Sequence, residues 1–132
     1  NVLLATLLKN DEFHKAAIAL FDKVHNGVIG ANASAVSLIE TVFIMRKRHN
    51  FSSQKCAELV NSFLSIKNLD IKPLDASIMQ AAAVQMDKMN LSLSDAIILA
   101  TLLEGGFSEI VSEDRDFDRL EGLKRLSIIE VK

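Results

Sequence analysis

The chain has 132 residues, 49% of them apolar and 24% charged, with a formal net charge of −2. That length and balance suit one compact domain with a substantial core, and they exclude a disordered tail. The slight negative charge argues against a sequence-blind grip on polyanions, although acids gathered in a pocket would mask a local basic patch.

The chain opens at Asn1, without a methionine and already inside an apolar stretch over residues 2–8, which leads us to expect natural residues upstream. Asn10-Asp11 predicts the cap of a helix reaching about His25. Phe13, Ala16, Ala17, Leu20, Phe21 and Val24 recur at three- and four-residue steps and give that helix one apolar face. Asn26-Gly27 ends it, and Val28-Ile29 predicts a brief strand. Ser34 or Ser37 caps the next helix, which carries Leu38, Val42 and Met45 and ends near Asn50. Ser52 or Ser53 starts another through Leu59, Val60 and Phe63.

Leu69-Asp70-Ile71-Lys72 alternates as a half-buried strand does. Pro73 closes it, and Asp75 caps a helix of Ile78, Ala82, Gln85, Met86 and Met89. A strongly apolar helix follows Ser92 and stops at Gly105-Gly106. Residues 108–112 predict a strand, residues 114–119 a charged turn or short helix, and residues 126–131 a last strand. Short strands separated by helices predict an α/β domain: a central parallel sheet with helices on both faces. Such sheets bind ligands at the carboxyl ends of their strands.

Cys56 is the only cysteine, so no intramolecular disulfide forms, and it reads as a small buried hydrophobe. That pattern fits a reducing cytoplasm. The longest apolar run, residues 96–103 with Thr101 inside it, is too short to span a bilayer.

Acids stand out in three apolar contexts. Glu40 lies within Leu38-Ile39-Glu40-Thr41-Val42, where it is either the one solvent-facing residue of a helix or a buried functional acid. Asp95 opens Asp95-Ala96-Ile97-Ile98-Leu99-Ala100, and with Ser92 it also has the spacing of a capping box. Asp114 and Asp116 follow the strand ending at Val111-Ser112, where the positive end of a short helix would equally suit them. Buried carboxylates are costly unless paired or metal-bound, and acids converging from separate elements call for a divalent cation. Mg²⁺ and Mn²⁺ prefer such oxygen ligands and keep several waters. Arg46-Lys47-Arg48-His49 is either a phosphate-guiding patch or a solvated helix end.

At these residues the sequence resembles the PIN-domain family of VapC-like ribonucleases. Asn1-Val2-Leu3-Leu4 looks like the tail of that family's opening motif, and Leu38-Ile39-Glu40 resembles its second. Leu91-Ser92-Leu93-Ser94-Asp95-Ala96-Ile97-Ile98-Leu99-Ala100 closely matches the third. Val111-Ser112-Glu113-Asp114-Arg115-Asp116-Phe117 resembles the fourth. The order and spacing match over essentially the whole chain.

The resemblance implies a three-layer α/β/α domain and a Mg²⁺- or Mn²⁺-dependent endoribonuclease. Glu40, Asp95 and Asp114 would be metal ligands, and Asp116 an auxiliary catalytic acid. Ser112 would position Asp114 or a metal-bound water, and Asn1 would orient neighbouring carboxylates. Arg46, Lys47 and Arg48 are the RNA-binding candidates. The resemblance also implies a homodimer and an antitoxin partner. By that pattern, the family's first aspartate and its strand would precede Asn1. Two rivals differ in class. One is a non-catalytic PIN-like module that binds RNA or a protein. The other is a phospho-accepting receiver domain, which needs a lysine ending its last strand, where terminal Lys132 is a poor match.

Overall fold

The computed structural model describes residues 1–131, so Lys132 lies outside the described residues. The elements run α1 (Val2–Ala5), α2 (His14–His25), β1 (Ala31–Ser34), α3 (Ala35–Arg48), α4 (Ser53–Leu64), β2 (Leu69–Lys72), α5 (Ala76–Met89), α6 (Leu93–Glu104) and β3 (Glu109–Val111). A 3₁₀ segment (Arg115–Arg119), β4 (Lys124–Leu126) and a second 3₁₀ segment (Ile128–Glu130) complete the chain.

The helix starts follow from local chemistry. Side-chain oxygens of Ser34, Ser52, Asp75 and Ser92 accept the backbone N–H groups of Val36, Lys55, Ile78 and Asp95. Each satisfies a donor that the first helical turn leaves orphaned. α2 begins later than the sequence suggests, at His14, because Asp11 accepts from Phe13 N–H and spends its side chain on a turn. Asn90, at φ 52°, ends α5 in the left-handed conformation that asparagine tolerates.

α6 is apolar on nearly all sides and lies in the largest core cluster. Ala96, Ile97, Leu99 and Ala100 pack there with Ile78 and Ala82 of α5 and with Phe117 and Leu120. A second cluster joins Leu38 and Met45 of α3 to Leu59 and Phe63 of α4 and to Leu3. Among the described residues, no helix is long and apolar enough to cross a membrane.

The α/β class and the parallel pairing agree with the sequence reading, and three details differ. The described strands form two parallel pairs, β1 with β2 (Ala31 opposite Leu69) and β3 with β4 (Glu109 opposite Lys124), instead of one continuous sheet. β1 and β3 line a common cavity instead of bonding to each other. The first strand is not Val28-Ile29. The amides of both residues bond to Lys23 C=O and close the end of α2. The last strand stops at Leu126, because Ser127 and Ile128 turn to bond the Glu113 carboxylate.

Candidate functional site

A cavity of about 680 Å³ separates the two strand pairs. Leu20, Val24, Ile98, Leu102 and Ile110 supply apolar wall. Ser34 and Ser112, at the carboxyl ends of β1 and β3, line it together with Glu40, Asp95 and Asp114.

Each acid is placed by its own element. Ser34 caps α3, so Glu40 falls in the second turn and is half-buried. Its neighbour Thr41 is 0% exposed and donates to Ser37 C=O at 2.8 Å. Asp95 sits in the first turn of α6, where the Ser92 hydroxyl accepts its N–H at 3.2 Å and donates to its Oδ2 at 2.7 Å. This cap differs from a capping box, in which the acid would bond the cap residue's amide. Asp114 starts the 3₁₀ segment. Its N–H donates to Ser112 Oγ at 3.1 Å, and its Oδ1 accepts Asp116 N–H at 2.9 Å.

The remaining candidates are placed differently. Asp116 is exposed and does not line the cavity. A 3₁₀ turn sets successive side chains about 120° apart, and here Phe117 takes the core direction. Asn1 lines the cavity but bonds no carboxylate. Its Nδ2 donates to Ser37 C=O and Thr41 Oγ1, and its Oδ1 accepts from Leu3 and Leu4, so it fastens α1 to α3. Arg46, Lys47 and Arg48 are exposed in the last turn of α3 and do not line the cavity. They lie roughly 9–12 Å along the helix from Glu40. Arg46 donates to Phe51 C=O at 2.6 Å.

The family model described as the PIN domain matches residues 1–123. The chain belongs to the PIN-domain family. Its fold is similar to a chain in the crystal structure of VapBC2 from Rickettsia felis bound to a DNA fragment from their promoter. The TM-score is 0.67 at 14% identity, covering 96% of this chain and 93% of that one. At that identity the likeness concerns the fold. Comparison with curated proteins gives no match.

In this PIN domain no three Asp, Glu, His or Cys side chains among the described residues close into a ready-made metal cage. The donor set still suits a hard cation, because the three cavity carboxylates offer oxygen and negative charge. Among the described residues the salt bridges are Lys72–Asp70, Lys124–Glu109 and Arg125–Asp118, and none reaches these three acids.

Sequence reasoning missed three residues around the Asp114 segment. Glu113 accepts from Ser127 Oγ at 2.8 Å and from Ile128 N–H at 2.6 Å. Arg125 donates to Asp118 and to Ser112 C=O, and Arg119 to the carbonyls of Met89 and Asn90. The hydrogen bond to Asp118, with the nearby charges of Asp118, Glu113 and Glu130, holds the Arg125 guanidinium above its ordinary range, and burial opposes that rise. No motif or helical spacing links these partners.

Proposed function

We propose that this PIN domain is a Mg²⁺- or Mn²⁺-dependent endoribonuclease that hydrolyses RNA phosphodiester bonds as the toxin of a toxin–antitoxin pair. One observation carries the reading. A single cavity collects Glu40, Asp95 and Asp114 from three separate elements, and no cation pairs with them among the described residues. These three carboxylates would hold the ion, which when bound acts as a Lewis acid and offsets charge on the reacting phosphate.

His14, His25 and His49 do not line the cavity, so a carboxylate accepts the proton of the attacking water. Ser112 Oγ accepts the Asp114 amide and so fixes the backbone at the cavity rim, where Asp114 itself is exposed. Asp116 has only the auxiliary part of orienting Asp114 through its own backbone N–H.

The decisive assay offers single-stranded RNA to the protein with Mn²⁺. Cleavage that stops with chelator is the expected result, and RNA left intact rejects the nuclease. The lack of a three-acid cage among the described residues favours a second reading, a non-catalytic RNA- or protein-binding module, and intact but bound RNA would select it.

The similar Rickettsia felis assembly, VapBC2, supports an antitoxin partner. So does an apolar groove between α3 and α4, where Ile39, Phe43 and Leu64 are each more than half exposed. Copies of the chain would form a homodimer, which light scattering would weigh directly.

Arg46, Lys47 and Arg48 remain the candidates for guiding RNA toward the cavity from the end of α3. Replacing all three with alanine should weaken binding and lower the slope of log affinity against log salt. Each single-strand phosphate contact contributes about 0.7 to that slope. An unchanged slope would return the segment to a solvated helix end.

A further inference from the structure

The segment that carries Asp114 is fastened on two sides by arginines that stand outside the cavity. Arg125 of β4 donates from Nε to Asp118 Oδ1 at 2.7 Å and from Nη2 to Oδ2 at 3.3 Å. Its third bond, from Nη1, reaches Ser112 C=O at 2.8 Å. Ser112 is the residue whose hydroxyl holds the Asp114 amide. One guanidinium therefore ties the end of β3 to the 3₁₀ segment, with Asp114 between the two anchor points.

Arg119 makes the second fastening. Its Nη1 donates to Met89 C=O at 2.7 Å and its Nη2 to Asn90 C=O at 3.2 Å. Those carbonyls end α5, in the left-handed turn that leads to Ser92. Ser92 caps α6 and bonds the Asp95 carboxylate. Arg119 thus joins the segment carrying Asp114 to the turn that sets Asp95.

We propose that Arg119 and Arg125 are positioning residues that hold Asp114 in register with Asp95 across the cavity. The inference rests on the reading of these acids as cation ligands.

A geometric role suits the chemistry better than a purely stabilising one. The 3₁₀ segment is five residues long, and within it only Phe117 is buried. Short 3₁₀ stretches have poor hydrogen-bond geometry and open readily unless something else holds them. The Asp118 side chain is 49% exposed, so its ion pair with Arg125 adds little stability. A planar guanidinium can bridge a carboxylate and a carbonyl at once, whereas a lysine ammonium offers one point charge.

The test compares wild type with Arg125→Lys, Arg119→Lys and Arg119→Ala, using Mn²⁺ alone as the probe. Titration calorimetry should show affinity falling about 10- to 100-fold, as loss of partners that orient ligands commonly does. Amide exchange followed by mass spectrometry should quicken over residues 112–120 and stay unchanged over α3 and α4. The Lys variants keep the charge, so a loss in them points to the fork geometry. Wild-type exchange over residues 112–120 would overturn the inference, as would normal Mn²⁺ affinity despite faster exchange. Faster exchange throughout the chain would reduce the arginines to general stabilisers and overturn it too. If wild-type protein takes up no Mn²⁺, the cation reading fails instead, and the exchange comparison alone decides whether the arginines hold the segment.

Discussion

Asp95→Asn should cut RNA on the order of 100-fold more slowly than wild type in matched Mn²⁺, the scale expected when a pre-placed charged group is lost from a reacting centre. The substitution preserves shape and leaves an oxygen for the Ser92 hydroxyl, so the α6 cap persists. Only the negative charge disappears. Removing an acid from the first turn of a helix costs about 0.3–1 kcal/mol through the helix dipole, too little to unfold a domain. Circular dichroism at the assay temperature separates the two effects. Asp114→Asn should behave alike, because its Oδ1 can still accept Asp116 N–H while its charge is gone. Asp116→Asn should retain most activity, since its side chain does not line the cavity and its useful bond comes from the backbone. If Asp95→Asn cleaves at the wild-type rate, Asp95 is a helix cap and nothing more.

What was legible in the sequence follows from how local each feature is. Helix starts were readable because a capping side chain and its N–H lie within three residues, as at Ser52, Asp75 and Ser92. The strands were harder. β1 is Ala-Asn-Ala-Ser, with no branched or aromatic residue to mark it, whereas Val28-Ile29 carries that signature and serves as a turn. At the other end Ile128 and Ile129 suggested a strand. The Glu113 carboxylate instead draws the chain into a 3₁₀ turn and leaves Ile129 69% exposed.

The site divides in the same way. Glu40, Asp95 and Asp114 each stood out as acids in apolar surroundings, and all three line the cavity. Asp116 shares with Asp114 its place after β3, and the resemblance gives it only an auxiliary part; a two-residue step in a 3₁₀ turn takes it to another face. Arg119 and Arg125 were invisible because their partners are largely backbone carbonyls at distant positions, and a carbonyl carries no residue identity.

Mn²⁺ should raise the melting temperature of the wild-type chain, and this test does not depend on finding the RNA. An ion that binds only the native state stabilises it by mass action, by about 2.7 kcal/mol at a free concentration of 100 times its dissociation constant. Unfolding entropy scales with chain length, so for a domain of this size that gain corresponds to roughly 10 °C. Without the ion, Glu40, Asp95 and Asp114 repel one another across the cavity, and no basic side chain among the described residues pairs with them. Removing one charge therefore relieves repulsion in the metal-free protein while it weakens the cation site. Asparagine is the informative replacement. Alanine would also discard the bonds that Asp95 makes to Ser92 and Asp114 to Asp116, confusing charge with capping. With chelator present, Asp114→Asn should melt at or slightly above the wild-type temperature, and Asp95→Asn within a few degrees of it, because relieved repulsion opposes the lost helix-dipole contribution of about 0.3–1 kcal/mol. With Mn²⁺ they should gain far less than wild type. The chain has no Trp or Tyr, so far-ultraviolet circular dichroism is the natural signal. An equal Mn²⁺ shift in all three proteins would place the ion away from these carboxylates, and the proposed metal ligands would then have to be abandoned.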